Sequence, residues 1–426
     1  MSGLERRLEV ALPVERVSTE VEQRLKRLSQ SVRLKGFRAG KVPLSVVKTQ
    51  YAGQVHAETV QDLMQSSYSE AIEQQKLRPA AGPRIEPISF APGGELRYAA
   101  VFEVMPEVSL QPLAALTIER PTAVIGDGDV DDMLQNMRKQ RPNFTEVARA
   151  ATAGDRVTMD YEGRIDGEVF AGGKGDGLKA VLGAGNILKE LDAALHGMSV
   201  GESKQVPARF PDDYGAKAVA GKAAEFSLKV TAVEASSLPD LDDAFAIQMG
   251  VKEGGAGALR DAVKTGMERE LAEGIRVKVR ERLLDAIYKA HPLEIPKVLV
   301  DEQVRELQLQ MMRRLGVPET TQLPSAEPYV EPARKRVTLG MVIGEMVRTQ
   351  AFKVDRERVE ARLSAAVAGS QDPANLRRQY LQSREAMGQI EAAALEDQAL
   401  EWALAQVQVT EKASNFKELT GYGETV

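Results

Sequence analysis

With 426 residues and a formal charge of −6, the chain is too long for one ordinary core, and about two to four domains are expected. Hydrophobic residues make up 43% and charged residues 28%, a soluble globular balance; no apolar run approaches the roughly 20 residues that span a bilayer, and the charged start MSGLERRLEV has no apolar stretch of the secretory kind. Cysteine is absent, which excludes disulfides, thiolate nucleophiles and Cys-ligated zinc and fits a reducing cytoplasm.

Leu4 to Leu12 alternates as a strand does. A helix is predicted from Val14 to Val32, with Val17, Val21, Leu25, Leu28 and Val32 on one face. From Gln23 to Ala57 there is no acidic residue but eight basic ones: Arg24, Lys26, Arg27, Arg33, Lys35, Arg38, Lys41 and Lys48. On an acidic protein such an island points to a polyanionic partner, although a charge run alone is more often a solvated face. Within it lies Gly36-Phe37-Arg38-Ala39-Gly40-Lys41-Val42-Pro43, whose glycines permit a tight loop that displays Phe37 and Arg38, and whose proline suits the start of a helix.

That string resembles the ribosome-docking signature Gly-Phe-Arg-x-Gly-Lys-x-Pro of the trigger factor family, the bacterial nascent-chain chaperones, at every fixed position. The resemblance implies that Gly36, Phe37, Arg38, Gly40, Lys41 and Pro43 form a ribosome-binding loop, with Phe37, Arg38 and Lys41 contacting protein and ribosomal RNA beside the exit tunnel of the large subunit. Further helices are predicted from Pro43 to Tyr51 and from Val55 to Gln75, prolines at 79, 83 and 87 interrupt the helical pattern, and Leu96 to Val104 reads as a strand. Together these make an α+β module over residues 1–110.

Pro106, Pro112 and Pro121 mark an extended connection over 111–149, with a short helix from Asp129 to Gln140 led by acids. Residues 150–236 change character. Val157, Met159 and Tyr161 alternate, Asp166-Gly167 is a hairpin signal, Ile187 to His196 is a short helix closed by Gly197, and Phe226, Leu228, Val230 and Ala232 form a last strand. Asp160-Tyr161-Glu162-Gly163, Val169-Phe170, Leu182-Gly183, Met198-Ser199-Val200-Gly201-Glu202 and Phe210-Pro211-Asp212-Asp213-Tyr214-Gly215 follow in order, and this module resembles an FKBP-type prolyl isomerase. By that resemblance Tyr161, Phe170, Ile187, Leu188, Leu191, Tyr214 and Phe226 line the pocket for a proline ring; as bare residues, several of them are also what the core of a small sheet needs. The chain departs from the pattern at Leu191, where an aromatic floor is usual, at Lys189-Glu190 before it, and at Ala171, where an acid is common. A weakened isomerase is therefore expected.

From Leu238 onward the pattern is helical. Leu259, Val263, Met267, Leu271, Ile275, Val279, Leu283 and Ile287 recur every four residues and predict one long helix, buried along a winding face. Further helices are expected over Val298–Leu315, Pro332–Gln350, Asp355–Ala368, Pro373–Met387 and Gly388–Val407. Half of the chain's 14 methionines lie here, and flexible, polarisable methionine suits surfaces that accept many sequences, as well as cores.

Histidines 56, 196 and 291 are far apart and form no metal-ligand spacing. No phosphate-binding G-x-x-x-x-G-K-[ST] string occurs, since Gly173-Lys174 is followed by glycine. Neither cofactor, nucleotide nor metal is expected. The fold class is thus α+β multidomain: a docking module, an FKBP-like sheet with a short helix, and a mostly helical segment over 237–426. The order of modules resembles the trigger factor family along the whole chain, which implies an ATP-independent cytoplasmic chaperone whose partners are the large ribosomal subunit and nascent or unfolded polypeptides. Membranes are not among the expected partners, and a homodimer away from the ribosome is left open. Two rivals stand beside this reading: a dedicated prolyl isomerase, and a nucleic-acid-binding protein using the basic region, the latter disfavoured by few interleaved aromatics and an acidic chain.

Overall fold

The computed structural model describes residues 3–34, 37, 41–90, 94–318 and 321–422. The chain divides into two compact units, Met1–Pro121 with Arg276–Lys412, and Thr122–Ile275 with Ala413–Val426.

The first unit opens with β1 (Glu5–Leu12), α1 (Val14–Ser31), α2 (Leu44–Gln74), β2 (Arg84–Ser89) and β3 (Leu96–Glu103). The strands form an antiparallel sheet in the order β1-β3-β2, with Leu12 opposite Leu96 and Glu5 opposite Glu103. Tyr98 on the central strand is fully buried, and its hydroxyl meets Ser67 (2.8 Å) and the Met64 carbonyl (3.0 Å) of α2. Those bonds satisfy a polar tip that burial would otherwise leave costly. The two helices predicted across residues 43–75 are one helix of 31 residues. Gly53 does not interrupt it, because a helical glycine costs only about 1 kcal/mol against alanine while Val47, Val55, Val60 and Leu63 all gain burial from continuity. Strand β2 was not foreseen: Pro87 stands in it at a register shift, the kind of edge irregularity proline tolerates.

A 3-10 turn at Leu113–Ala115 and β4 (Thr117–Thr122) follow, then α3 (Asp127–Gln140) and β5 (Asn143–Glu146), so most of residues 111–149 carry regular structure. In the second unit, β5, β6 (Arg156–Ile165), β7 (Glu168–Val181), β8 (Ser203–Arg209) and β9 (Ala223–Ser237) make a five-stranded antiparallel sheet in the order β5-β9-β6-β7, with β8 also on β9. The short helix α4 (Lys189–Leu195) closes one core with Val157, Met159, Leu182, Leu195, Leu228 and Val230. A second core of the same unit joins Val130 and Leu134 of α3 to Phe245 of α5 (Asp243–Gln248) and to Leu259, Met267 and Leu271 of α6 (Gly255–Ala290). Phe416 of α12 (Phe416–Thr420) completes it.

The four-residue stripe of α6 is buried as expected at Leu259, Met267, Leu271, Val279, Leu283 and Ile287, and half-buried at Val263 and Ile275. In the first unit, α7 (Lys297–Arg314) and α8 (Glu327–Thr349) pack through Val300, Val304 and Ala333. Helices α9 (Arg356–Val367), α10 (Pro373–Gln382) and α11 (Arg384–Gln406) complete the helical segment. Helix α8 starts five residues before Pro332, which lies in its second turn, where a missing N–H leaves only the Pro328 carbonyl without a helical donor. Strand β10 (Gln408–Ala413) pairs with β4. Its residues are all exposed, so no alternation announced it.

Candidate functional site

Strands β6, β7 and β9, helix α4 and the loop after β8 build an aromatic cluster in the second unit. Asp166 (φ 53°) and Gly167 (φ 87°) form the turn between β6 and β7, the doubly left-handed geometry that Asp-Gly favours because it follows the twist of the strands. Gly163 on β6 pairs with Phe226 on β9. A methyl group at Gly163 would come within 2.5 Å of Phe226 Cε1 and 2.9 Å of Phe170 Cε1, so glycine is what lets both rings lie across the strand.

Of the seven expected pocket residues, Leu191 and Phe226 are buried in one apolar cluster, and Tyr161, Phe170, Ile187 and Leu188 are half-buried against it. Tyr161 donates a long hydrogen bond to the Gly172 carbonyl, 3.3 Å. Leu191, only 7% exposed, occupies the first turn of α4, where its amide donates to the Leu188 carbonyl at 3.0 Å. Tyr214 is different: it sits on the loop between β8 and β9 and is 43% exposed. It reaches the others through Phe210, a residue not singled out from sequence, whose ring lies 4.8 Å from Tyr214, 5.7 Å from Phe170 and 6.1 Å from Phe226. Its signal was present all the same: Phe210 follows directly on the alternating strand β8 and opens the Phe-Pro-Asp-Asp-Tyr-Gly string.

Two carboxylates beside Tyr161 are engaged by neighbouring groups. Hydrogen bonds from Arg164 and then Lys174 hold the Glu162 carboxyl below the usual carboxylate range. Asp160 accepts from the Gly177 amide at 2.9 Å, and Ala171 is exposed with no acid in its place. The arrangement gathers an apolar cluster of rings and aliphatic side chains with Tyr214 at its exposed edge. Isomerisation of an X–Pro bond breaks no covalent bond, so such chemistry requires no nucleophile.

The loop between α1 and α2 is the second candidate. Gly36, Arg38 and Gly40 lie outside the described residues. Phe37 is 42% exposed, its amide donating to the Leu34 carbonyl at 3.1 Å, and Lys41 is exposed. Pro43 caps α2 from the position just before its first residue, and its carbonyl accepts from Val46 at 3.0 Å. Beneath the loop, Val42 is buried with Leu25, Val47 and Val55, which anchors its second arm to both helices. The basic island is narrower than the sequence suggested. Arg24 pairs with Asp62 and Glu20, and Lys26 with Glu22, so acids outside the stretch neutralise two of the eight. Arg27, Arg33, Lys41 and Lys48 are exposed and have no ion pair among the described residues.

The helical segment shows surface rather than a shaped site. Leu315 at the end of α7 is 68% exposed, Leu381 on α10 is 55% exposed, and α10 buries no residue at all. Along α8 runs a groove of about 870 Å³, floored by Gly340 and Gly344 and walled by Leu339, Ile343, Val347 and Leu395. Among the methionines of this region, Met267, Met312 and Met346 are buried core residues and Met311 is exposed. Trp402 is half-buried, edge-on to Phe352 at 6.1 Å. His291 is buried, with Nε2 accepting from the Gln111 amide (3.0 Å) and Nδ1 bonded to the Ile287 carbonyl (2.7 Å). Among the described residues no cluster of three or more acids and histidines could hold a metal, and no helix is long and apolar enough to cross a membrane.

Comparison with known proteins covers each of these regions. The family described as "Bacterial trigger factor protein (TF)" matches residues 1–137, its "C-terminus" family matches 257–405, and "FKBP-type peptidyl-prolyl cis-trans isomerase" matches 147–231. The trigger factor of Thioalkalivibrio sulfidiphilus is 42% identical over 419 residues, 98% of this chain and 96% of that one. That of Alkalilimnicola ehrlichii is 41% identical over 420 residues, 98% of this chain and 93% of its own. A solved structure from work on promiscuous substrate recognition by the trigger factor chaperone shares the fold, with a TM-score of 0.55 at 17% identity over 95% of this chain and 98% of that chain. Similarity of this extent, across all three matched regions in the same order, makes the chain a member of the trigger factor family, the ribosome-associated chaperones that carry an FKBP-type prolyl isomerase domain.

Proposed function

We propose that this chain docks on the large ribosomal subunit beside the exit tunnel through the loop Gly36–Pro43 and shields emerging polypeptides without ATP, in the cytoplasm. In this reading residues 1–110 dock, 111–149 connect, 150–236 isomerise X–Pro bonds, and 237–426 hold non-native chains. One observation carries the docking step: Phe37 stands exposed in a setting where Arg27, Arg33, Lys41 and Lys48 have no carboxylate partner among the described residues. An apolar anchor flanked by unneutralised cations fits a surface of protein and phosphate. Co-sedimentation with ribosomes tests it. Replacing Phe37, Arg38 and Lys41 together by alanine removes the chain from the ribosomal pellet; undiminished pelleting of that variant overturns the reading.

Isomerisation is assigned to Tyr161, Phe170, Ile187, Leu188, Leu191, Tyr214 and Phe226. The barrier of an X–Pro amide, ~18–20 kcal/mol, comes from resonance that is lost on twisting. An apolar recess stabilises the twisted amide over the planar one, and the Tyr214 hydroxyl holds the substrate carbonyl. Leu191 presents no flat face to the proline ring, so turnover is weak. Leu191→Phe in the full chain raises kcat/KM on an Xaa-Pro peptide; an unaltered chain already running at the rate of an aromatic-floored isomerase contradicts the assignment of that weakness to Leu191.

A further inference from the structure

Tyr214 is the exposed member of the pocket, and little in the described structure fixes its place. Its hydroxyl has no hydrogen-bond partner among the described residues. Its backbone is tied only locally, the Tyr214 amide donating to the Pro211 carbonyl at 3.1 Å. The loop that carries it closes on itself at its base, where the Phe210 amide meets the Lys222 carbonyl (3.0 Å) and the Gly221 amide meets the Pro211 carbonyl (3.2 Å). Among the described residues its one ring contact is Phe210, 4.8 Å away and tilted by 59°.

Phe210 in turn is 4% exposed and is packed inside the apolar cluster, with its ring against those of Tyr214, Phe170 and Phe226. It stands edge-on to Phe170 (5.7 Å, 88°) and tilted against Phe226 (6.1 Å, 58°), two rings held by the sheet. The loop tyrosine is thus referenced to the sheet through a single aromatic relay. Ring pairs at these separations have preferred mutual angles set by their quadrupoles, so the relay fixes direction as well as distance.

We infer that Phe210 is a positioning residue of the prolyl pocket, acting through Tyr214 and not on the substrate. This rests on Tyr214 serving the isomerisation as proposed above. Side-chain placement to a fraction of an ångström matters for a group that must meet one carbonyl of a twisting amide.

A double-mutant cycle in the full-length protein, read as kcat/KM on a chromogenic Xaa-Pro peptide, is the test. Tyr214→Ala and Phe210→Leu each lower kcat/KM by about tenfold, and the double variant stays within about threefold of the worse single one, because the second change removes nothing that remains. Phe210→Leu also reproduces the division of the Tyr214→Ala effect between kcat and KM, which a loss of stability alone does not. Should Phe210→Leu fail to give a cooperative thermal transition, Phe210→Met, closer in volume but without a ring, takes its place in the cycle. Multiplying effects in the double variant, or both Phe210 variants failing to fold, overturns the inference while leaving the Tyr214 assignment standing. A silent Tyr214→Ala instead overturns that assignment, and the inference with it.

Discussion

The sheet module around residues 150–236 and the helices α7 to α11 solve opposite problems with the same alphabet. In the module, one continuous core runs from Ala151 to Val233, and the rings of Phe170, Phe210 and Phe226 pack against one another within it. In the helices, α8 buries Leu339, Val342, Ile343 and Met346 but α10 buries nothing, and charge pairs tie the helices together as well: Arg280 reaches Glu396 (2.8 Å) and Asp397 (2.9 Å), Arg362 grips Asp397 with two nitrogens, Arg358 meets Glu401 (2.7 Å), and Arg377 clamps Glu360 (2.8 Å). A site for one small ring needs fixed walls. A surface for many sequences needs exposed apolar patches on a frame held by other means, because burying those patches would remove the function.

If that contrast is right, packing changes are worst in the module. Gly163→Ala is expected to have the largest effect, since the added Cβ must displace both Phe226 and Phe170. We expect a loss of about 1–3 kcal/mol in the stability of the second unit. Isomerase kcat/KM falls by roughly tenfold or more, about 1.4 kcal/mol of transition-state stabilisation, because the displaced rings no longer hold the reacting geometry. Calorimetry of the full chain and a peptide assay read the two quantities. A variant that keeps its rate shows that the two rings do not form the working wall.

In the helical segment the matching change removes a charge. Burial pushes the Asp397 carboxyl up, but hydrogen bonds from Arg362 and Arg280 outweigh it, and the group ends below the ordinary carboxylate range. A depressed folded-state value means stability that is fully present above the unfolded value, about 3.9, and lost as pH falls through the folded one. Asp397→Ala is expected to cost about 1–2 kcal/mol at neutral pH, less than the ~3–5 of a fully buried pair because both arginines partly face solvent. The same substitution flattens the acid arm of the first unit's melting profile. Asp155 makes the parallel case in the sheet unit: hydrogen bonds from Arg149 chiefly, and from Thr152, lower its value against burial. Asp155→Asn therefore flattens the acid arm of the second unit alone. Acid profiles that do not respond remove the ion pairs from the account of either frame.

The same contrast explains what could be read in the sequence. Period-2 alternation, Asp166-Gly167 and the four-residue stripe of α6 are local signals, and each corresponds to the element expected. The expected division between Tyr51 and Val55 is absent, because tertiary burial on both sides carries the helix through Gly53. Strands β2 and β10 carry no alternation of their own, and β10 finds its partner β4 only after almost the whole chain has intervened. Tyr161 and Phe170 stand in the strings that carry the family resemblance, and the structure puts them in one apolar cluster with Phe226. The relay through Phe210 was not legible, since sequence order does not tell which neighbour of Tyr214 its ring will touch. The two sidedness questions of the helices, which methionines are core and which leucines are bare, also needed coordinates.

Bare leucines yield the smallest effect on stability and the sharpest test of the helical half of the contrast. Leu315 and Leu381 are more than half exposed, so Leu315→Ser and Leu381→Ser together should change unfolding free energy by no more than about 0.5 kcal/mol. Each leucine fully covered by a bound chain would contribute about 1.5–3 kcal/mol, and partial cover by a mobile client less. The double variant should thus need several times more protein to suppress the aggregation of an unfolded client, measured by light scattering, with its thermal transition unmoved and its prolyl isomerase rate intact. Undiminished suppression would mean that these surfaces do not hold non-native chains and that the exposed leucines have another use. A large drop in stability would mean that they are frame after all, and the division between walls in one region and surface in the other would have to be redrawn.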